Sequence, residues 1–197
     1  MQDEAGTPLT AAEPAPPPAA PAGSAGRRRP RTLLVLIAVV VLLADQATKI
    51  LALALLTPGE PVDVIGSAIR LNLIRNPGAA FSLGDGSTWV LTIVSLAILV
   101  GVVVAARRVA NRPWAVALGM LLGGAIGNLV DRLVREPGPG RGHVVDFIDY
   151  FGWFIGNVAD IAIVLAAGVV VLLAQRGVPL GRPATAADAG TDEDADA

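Results

Sequence analysis

The sequence contains no cysteine and only one histidine, His143, in 197 residues. Without cysteine there is no disulfide, thiolate metal site or cysteine nucleophile, and a lone histidine excludes a histidine-rich zinc site. We therefore expect no metal and no other cofactor, and carboxylates are the main candidates for acid–base chemistry. Charged residues are also scarce, at 16% of the chain against 53% hydrophobic residues. This composition is too apolar for an ordinary soluble domain and predicts a membrane protein.

Four apolar runs are long enough to cross a bilayer. At 1.5 Å per residue, a run of about 17 to 20 residues matches a hydrocarbon core of roughly 30 Å. The predicted spans are residues 33–56, 89–106, 114–131 and 157–174. The first run follows a basic cluster, as in a secretory signal peptide, but its apolar character continues past Asp45 and Lys49. We therefore predict an uncleaved first span.

The two terminal segments differ from the apolar part of the chain. Residues 1–30 are rich in Pro and Ala, and residues 176–197 end in a run of acids. We predict that both segments are disordered, because they bury too little apolar surface to fold. Arginines cluster before the first span, between the second and third, and after the fourth: Arg27, Arg28, Arg29, Arg31, Arg107, Arg108, Arg112, Arg176 and Arg182. The positive-inside rule then predicts cytoplasmic termini and outer loops at about 57–87 and 133–156.

The first outer loop contains two short β-prone stretches, VDVI at 62–65 and IRLNLI at 69–74, bounded by Pro, Gly and Asn. Such stretches predict strands. The predicted fold is an all-α membrane protein of four transmembrane helices, with a small sheet on the outer, periplasmic surface. The glycines of GMLLGGAIGNL in the third span predict close helix packing, which is common in membrane bundles.

Ionisable side chains within or beside membrane spans are costly, so each indicates a function or a structural pair. Five positions qualify: Asp45, Lys49, Asp131, Arg132 and Asp160. Asp45 and Lys49 are four residues apart on one helix face and can pair. Asn128, Asp131 and Arg132 share another face at i, i+3 and i+4. An ion-pair scaffold would explain both groups, and for Asp131 with Arg132 we favour this structural role.

The predicted topology brings three carboxylates to the outer boundary of the bilayer. The third span ends there at Asp131, the fourth begins there with Asp160 in its first turn, and Asp146 lies in the loop between them. Asp45 is expected deeper, a little past the middle of the first span. Two carboxylates brought close can share one proton, which suits a peptidase that activates water. Asn157 is also a candidate cap for the fourth helix.

Five short blocks follow one another along the chain: DQATK at 45–49, NPGAAFS at 76–82, GGAIGNLVDR at 123–132, VVDF at 144–147 and NVAD at 157–160. In this order, on four spans, they resemble the lipoprotein signal peptidase family, also called signal peptidase II, over residues 30–175. The resemblance implies an aspartyl endopeptidase with Asp146 and Asp160 as its catalytic pair. It also implies a set of residues that bind substrate or hold the site together: Asp45, Lys49, Asn76, Gly78, Asn128, Asp131, Arg132, Asn157 and Ala159.

The same resemblance implies prolipoprotein substrates whose cysteine carries a diacylglyceryl group, with cleavage just before that cysteine. It further implies a β-cradle outside the four helices, a site near the outer face of the bacterial cell membrane, contact with membrane lipid, and inhibition by globomycin-type cyclic peptides. We expect a monomer and no nucleic-acid partner. A composition rich in Ala, Arg, Gly and Val is typical of a high-GC bacterium such as an actinobacterium.

Two other functions stay open on the sequence alone. A small proton-coupled transporter would use Asp45, Asp131 and Asp160 as a relay, although the outward clustering of the acids and the lack of an internal repeat disfavour it. A non-catalytic membrane scaffold would hold every charge in a structural pair. The scaffold hypothesis predicts that Asp146 is dispensable.

Overall fold

A computed structural model describes residues 25–78 and 88–181 of the chain. The predicted arm at 1–24, the rest of the acidic tail at 182–197 and the part of the first loop at 79–87 lie outside the described residues. The helices are α1 (Ala25–Leu55), α2 (Thr88–Ala106), α3 (Arg112–Val134) and α4 (Val158–Gln175). The strands are β1 (Val62–Ile65), β2 (Ile69–Asn76), β3 (Val144–Tyr150) and β4 (Phe154–Gly156). Each of these four helices is apolar and long enough to cross a membrane.

Two boundaries differ from those predicted. Helix α1 begins at Ala25, inside the segment predicted to be disordered, and the Arg31 guanidinium ties its first turns to a main-chain oxygen of the α2–α3 loop. The segment 176–181, predicted as part of a disordered tail, packs against the start of α3, where Trp114 Nε1 donates a hydrogen bond to the Val178 carbonyl at 2.9 Å. Parts of both segments that were predicted to be disordered therefore form defined contacts.

Helix α3 lies at the centre and contacts each of the other three helices. The predicted close packing through its glycines is confirmed. A Cβ atom on Gly123 would meet the Ala38 carbonyl oxygen of α1 at 2.6 Å, and one on Gly124 would meet the Ala159 carbonyl oxygen of α4 at 2.7 Å. The absence of side chains at these positions therefore lets α1 and α4 approach α3 from two sides.

The four strands form one antiparallel sheet in the order β1-β2-β3-β4. The strands predicted at 62–65 and 69–74 are confirmed as β1 and β2. Strands β3 and β4 come from the second loop, and β2 pairs with β3 so that Ile74 lies opposite Asp146. Asp146 is thus on a strand and not in a loop, and the sheet joins the two loops that the sequence predicts on one side.

Two apolar clusters hold the ends of the helix bundle. At the sheet end, by which we mean the end of the bundle that carries the four strands, α1 packs against β2 and β3 through Ala52, Leu73, Val145 and Phe147. At the opposite end a second cluster contains Leu34, Val102, Val109, Ala115 and Leu118. Buried polar side chains lie between the two clusters, close to the sheet end.

Gly123→Ala is expected to destabilise the bundle, because the new methyl group would have to displace the main chain of α1. Overpacking of a close-packed interface costs typically about 1–3 kcal/mol. Gly168→Ala in α4 is the matched control, since a Cβ atom there meets nothing within 4 Å. Unfolding of both variants by SDS in detergent micelles measures the difference. Equal transition midpoints would contradict the packing role of Gly123.

Candidate active site

The buried ammonium group of Lys49 lies at the centre of a polar cluster. Its Nζ atom is 2.9 Å from Asp45 Oδ2, 2.8 Å from Asp131 Oδ2 and 2.9 Å from Asn128 Oδ1. Lys49, Asp45 and Asp131 are each 0% exposed. Because an ammonium has three protons, all of its donors are used. The predicted pair of Asp45 with Lys49 is confirmed.

Asp131 forms its direct ion pairs with Lys49 and Arg135, whereas the predicted partner Arg132 interacts with it only through its charge. Asp131 Oδ1 accepts a hydrogen bond from Arg135 Nε at 2.6 Å, and its Oδ2 binds Lys49 and accepts from the Val145 main-chain N–H at 3.2 Å. Arg135 is four residues after Asp131 and lies on the same helix face, whereas adjacent side chains on a helix diverge by about 100°. Asp131 therefore joins α3 to α1 and to β3, as a structural support.

The sequence predicts that Asp45 lies apart from the other acids and deeper in the bilayer, but the structure places it beside the start of α4. Its Oδ1 accepts a hydrogen bond at 3.0 Å from the main-chain N–H of Ala159, in the first turn of α4. Gly127 of α3 makes room for this contact, since a Cβ atom there would meet Asp45 Oδ2 at 2.5 Å. Close helix packing thus brings Asp45 into the same cluster.

One residue, Asn157, links the side chains of Asp146 and Asp160. Asn157 Nδ2 donates to Asp146 Oδ1 at 2.6 Å, and its main-chain N–H donates to Asp160 Oδ2 at 3.1 Å. In return, the Asp160 main-chain N–H donates to Asn157 Oδ1 at 3.0 Å, which completes a capping box at the start of α4. The predicted helix cap is confirmed, and Asn157 holds both acids, Asp146 through its side-chain amide and Asp160 through its main-chain N–H.

Two further asparagines fix the acids from their other sides. Asn76 Nδ2 donates to Asp146 Oδ2 at 2.8 Å, and Asn128 Nδ2 donates to Asp160 Oδ1 at 2.9 Å. Asn76 Oδ1 also accepts from the N–H of Gly78 at 2.8 Å. The φ angle of Gly78 is +116°, a conformation that favours glycine. Each carboxylate is therefore held by a hydrogen bond on both of its oxygens.

The carboxyl of Asp146 is 2% exposed, and this burial raises its pKa to about 6. The nearby charge of Asp160 also raises the pKa, whereas hydrogen bonds from Asn76 and Asn157 and the charge of Lys49 lower it. Asp146 consequently keeps its proton at pH values where an ordinary aspartic acid is ionised. A carboxyl of this kind can donate a proton near neutral pH.

Arg132 is the cation beside the two acids. Its guanidinium interacts electrostatically with Asp146, Asp131 and Asp160. Its Nε and Nη1 atoms are buried and donate no hydrogen bond to any residue within the described part of the chain. Buried donors without acceptors are costly and rare in proteins. The two atoms are therefore suited to bind an acceptor that a ligand would bring.

Two contributors to the cluster were not predicted from the sequence. Gln46 Nε2 donates to Asp45 Oδ2 and to the Gly127 carbonyl, both at 3.1 Å, and Arg135 binds Asp131. Both had a local signal, since Gln46 lies within the DQATK block and Arg135 stands one helical turn after Asp131. Across residues 25–78 and 88–181, no three histidine or acidic side chains form a group that could hold a metal ion.

The fold and the site define a multi-pass membrane protein with a buried pair of carboxyl groups held by asparagines. The family model described as Signal peptidase (SPase) II matches residues 37–176. The chain therefore belongs to the signal peptidase II family, and the resemblance found in the sequence is confirmed.

Relatives with the name lipoprotein signal peptidase occur in several actinobacteria. The protein of Mycolicibacterium smegmatis is 51% identical over 138 residues, which cover 70% of this chain and 59% of that protein. The protein of Mycobacterium avium is 52% identical over 133 residues, 68% of this chain and 73% of the relative. The protein of Rhodococcus jostii is 50% identical over 139 residues, 71% of this chain and 70% of the relative. The prediction of an actinobacterial type of sequence agrees with these relatives.

Two solved structures of bacterial membrane enzymes share the fold. One, determined at 1.9 Å resolution, is 29% identical with a TM-score of 0.63 and covers 73% of this chain and 92% of its own. The other, at 2.3 Å resolution, is 29% identical with a TM-score of 0.65 and covers 78% of this chain and 94% of its own. The four helices and the sheet are therefore the arrangement of a known class of bacterial membrane enzyme.

Lys49→Met is expected to destabilise the protein strongly, because it leaves Asp45 and Asp131 buried without the cation that they share. Breaking a buried ion pair costs about 3–5 kcal/mol. Adding Asp45→Asn should recover part of the loss, since it removes one of the uncompensated charges and the amide oxygen can still accept from Ala159. SDS unfolding of the wild type, both single variants and the double variant measures the coupling. Losses of stability that simply add in the double variant would contradict the role of Lys49 as the shared cation. For a variant that does not accumulate, the yield of folded protein is measured in place of the unfolding midpoint.

Proposed function

We propose that this protein is an aspartyl endopeptidase that removes signal peptides from diacylglyceryl-modified prolipoproteins, with cleavage just before the lipidated cysteine. The observation that carries the proposal is the position of Asn157, whose side-chain amide donates to Asp146 and whose main-chain N–H donates to Asp160. Membership of the signal peptidase II family supports a prolipoprotein substrate. Relatives that share 51% and 52% identity have the name lipoprotein signal peptidase.

The two acids divide the hydrolysis between them. The ionised carboxylate takes a proton from a water molecule while the water oxygen attacks the scissile carbonyl carbon, and the protonated carboxyl donates its proton to the carbonyl oxygen. The product is a tetrahedral diol. The proton taken from water then passes to the peptide nitrogen, a diol hydroxyl returns its proton to the pair, and the C–N bond breaks. The pair shares its proton, so the roles belong to the pair as a whole.

The other site residues position this pair and the substrate. Asn76, with Gly78 at its own side-chain oxygen, holds Asp146, and Asn128 holds Asp160. Arg132 would donate from its unpaired Nε and Nη1 atoms to a main-chain carbonyl of the substrate, near the scissile bond. A cation there also stabilises the single negative charge of the pair.

The proposed orientation has the sheet end on the outer side of the bacterial cytoplasmic membrane and both termini in the cytoplasm. The arginines at the opposite end of the helices support it by the positive-inside rule: Arg29, Arg31, Arg107, Arg108, Arg112 and Arg176. A diacylglyceryl cysteine anchored in lipid would then present its scissile bond at the depth of the acids. Confinement to the bilayer also raises the effective concentration of the substrate. Action as a monomer and inhibition by globomycin-type peptides are part of the proposal.

Asp146→Asn and Asp160→Asn are each expected to abolish measurable cleavage of a diacylglyceryl prolipoprotein by the purified enzyme. Loss of a single acid–base group slows a reaction by about 10²–10⁴-fold, and here each acid also activates the other. Asp63→Asn, which changes an exposed aspartate on β1, is the matched control and should cleave like the wild type. A gel-shift assay of the substrate measures all three. Normal cleavage by either dyad variant would support the scaffold hypothesis instead.

The pKa of about 6 for Asp146 predicts the alkaline limit of the activity. The raised pKa means that the carboxyl is protonated below this pH and loses its proton above it, so kcat/KM should fall on the alkaline side with an apparent midpoint near 6. Asn76→Ala removes a hydrogen bond that stabilises the charged form, so its midpoint should lie at higher pH. Profiles of kcat/KM against pH in lipid–detergent micelles test both statements. A midpoint that stays in place or falls in Asn76→Ala would contradict the assignment of the alkaline limit to the acid pair.

A further inference from the structure

The turn between β3 and β4, residues Tyr150–Phe154, carries an unusual set of side chains, and we call it the aromatic tip. Four of its five residues are aromatic and none is charged. Trp153 is 93% exposed, Phe151 66% and Phe154 51%. Exposed large apolar side chains gathered on one turn indicate contact with another apolar surface.

The backbone of the aromatic tip is a tight hairpin turn. The Trp153 N–H donates to the Tyr150 carbonyl at 3.0 Å, and the two central residues, Phe151 and Gly152, have φ angles of 56° and 74°. Turns with positive φ at both central positions favour Gly, Asn or Asp there, and a bulky side chain at such a position is an outlier. Phenylalanine at this position is unfavourable for the turn itself, which indicates a role for its side chain.

An ion pair between the buried Asp149 and the partly exposed Arg70 supports the aromatic tip. Asp149, which is 1% exposed, accepts from the Gly152 N–H at 2.8 Å and from Arg70 Nη2 at 2.6 Å. The Phe151 N–H donates to the Ala68 carbonyl, in the β1–β2 turn, at 2.9 Å. Because these contacts fix the turn to two neighbouring segments, its aromatic side chains stay outward.

The aromatic tip is continuous with the surface of a membrane-spanning helix. Two of its residues and four residues of α4 line one groove of about 310 Å³: Tyr150, Phe154, Asp160, Ile161, Val164 and Leu165. Val164 and Leu165 are 69% and 56% exposed, on a helix long and apolar enough to cross a membrane, so they face lipid. With a rise of 1.5 Å per residue, Leu165 lies roughly 10 Å along the helix from its first residue. The acyl chains that cover this part of α4 therefore also reach Phe154.

We propose that the aromatic tip is embedded in the bilayer, between the headgroups and the first carbons of the acyl chains of the phospholipids at the sheet end. Trp and Tyr concentrate at this depth because their rings are apolar with one polar atom. The groove beneath the aromatic tip then opens from lipid to Asp160. Under the proposed function, this groove gives a lipid-anchored substrate a lateral route to the acid pair. The embedding of the aromatic tip does not depend on the proposed function.

The fluorescence of Trp153 tests the embedding without any substrate. Trp153 is one of three tryptophans, so Trp89→Phe with Trp114→Phe leaves it as the sole indole in the full-length protein. In phosphatidylcholine vesicles its emission should be shifted to shorter wavelength than that of free tryptophan. Lipids brominated near the headgroup should quench it several-fold more than lipids brominated at the chain ends, and aqueous iodide should quench it little.

A second measurement does not need the Trp89→Phe and Trp114→Phe substitutions. The difference in fluorescence between the wild type and Trp153→Phe reports on Trp153 alone. Because Trp153 is 93% exposed, this change should leave the fold intact. Emission like that of free tryptophan with strong iodide quenching would overturn the proposal by placing the aromatic tip in water. Protection from both iodide and brominated lipid would overturn it as well, by indicating cover from a second copy of the chain. The fluorescence measurement does not require peptidase activity. Failure of the proposed function can therefore be distinguished from failure of this proposal.

Discussion

The rest of the structure depends on the ion pairs that the buried Lys49 ammonium forms with Asp45 and Asp131. A charge can be taken out of water only where counter-charges and dipoles replace its solvation, and Asp45 of α1 and Asp131 of α3 do this for Lys49. The same two acids accept N–H groups from Ala159 of α4 and Val145 of β3. One cation therefore holds two helices directly, and a third helix and the sheet through its counter-ions.

Charge balance connects this support to the acid pair. In the described chain, the polar cluster around Lys49 and the acid pair contains four carboxylates and three cations: Asp45, Asp131, Asp146 and Asp160 with Lys49, Arg132 and Arg135. Lys49 and Arg135 bind the first two acids, so Arg132 is left to face the pair. A single proton on that pair brings the whole set to neutrality. The surroundings thus favour the singly protonated state, which is the state that activates water in the proposed mechanism.

The sequence predicts those parts of the molecule that depend on near neighbours along the chain. The four helices and the pair of Asp45 with Lys49 follow from hydropathy and helical spacing, whereas Arg135, one helical turn after Asp131, was missed as its partner. Strand β3 was not predicted, because most of it is buried and it lacks the alternation of a strand with one solvated face. Asp146 and its partner Asn76 are 70 residues apart, so that the contact depends on the pairing of β2 with β3, which no local pattern specifies.

The polar cluster in turn depends on how closely the helices approach. Glycines recur every four residues along α3, and a Cβ atom at Gly119, Gly123 or Gly127 would come within 2.8 Å of an α1 atom. Between helices in lipid the hydrophobic effect contributes little, so packing and hydrogen bonds drive association. On this face glycine provides the packing, and the next turn of α1 provides Asp45 and Lys49. A larger side chain on the same face would move Lys49 away from Asp131 and from Asn128, which holds Asp160. The close helix spacing that the glycines permit therefore also determines the position of the acid pair.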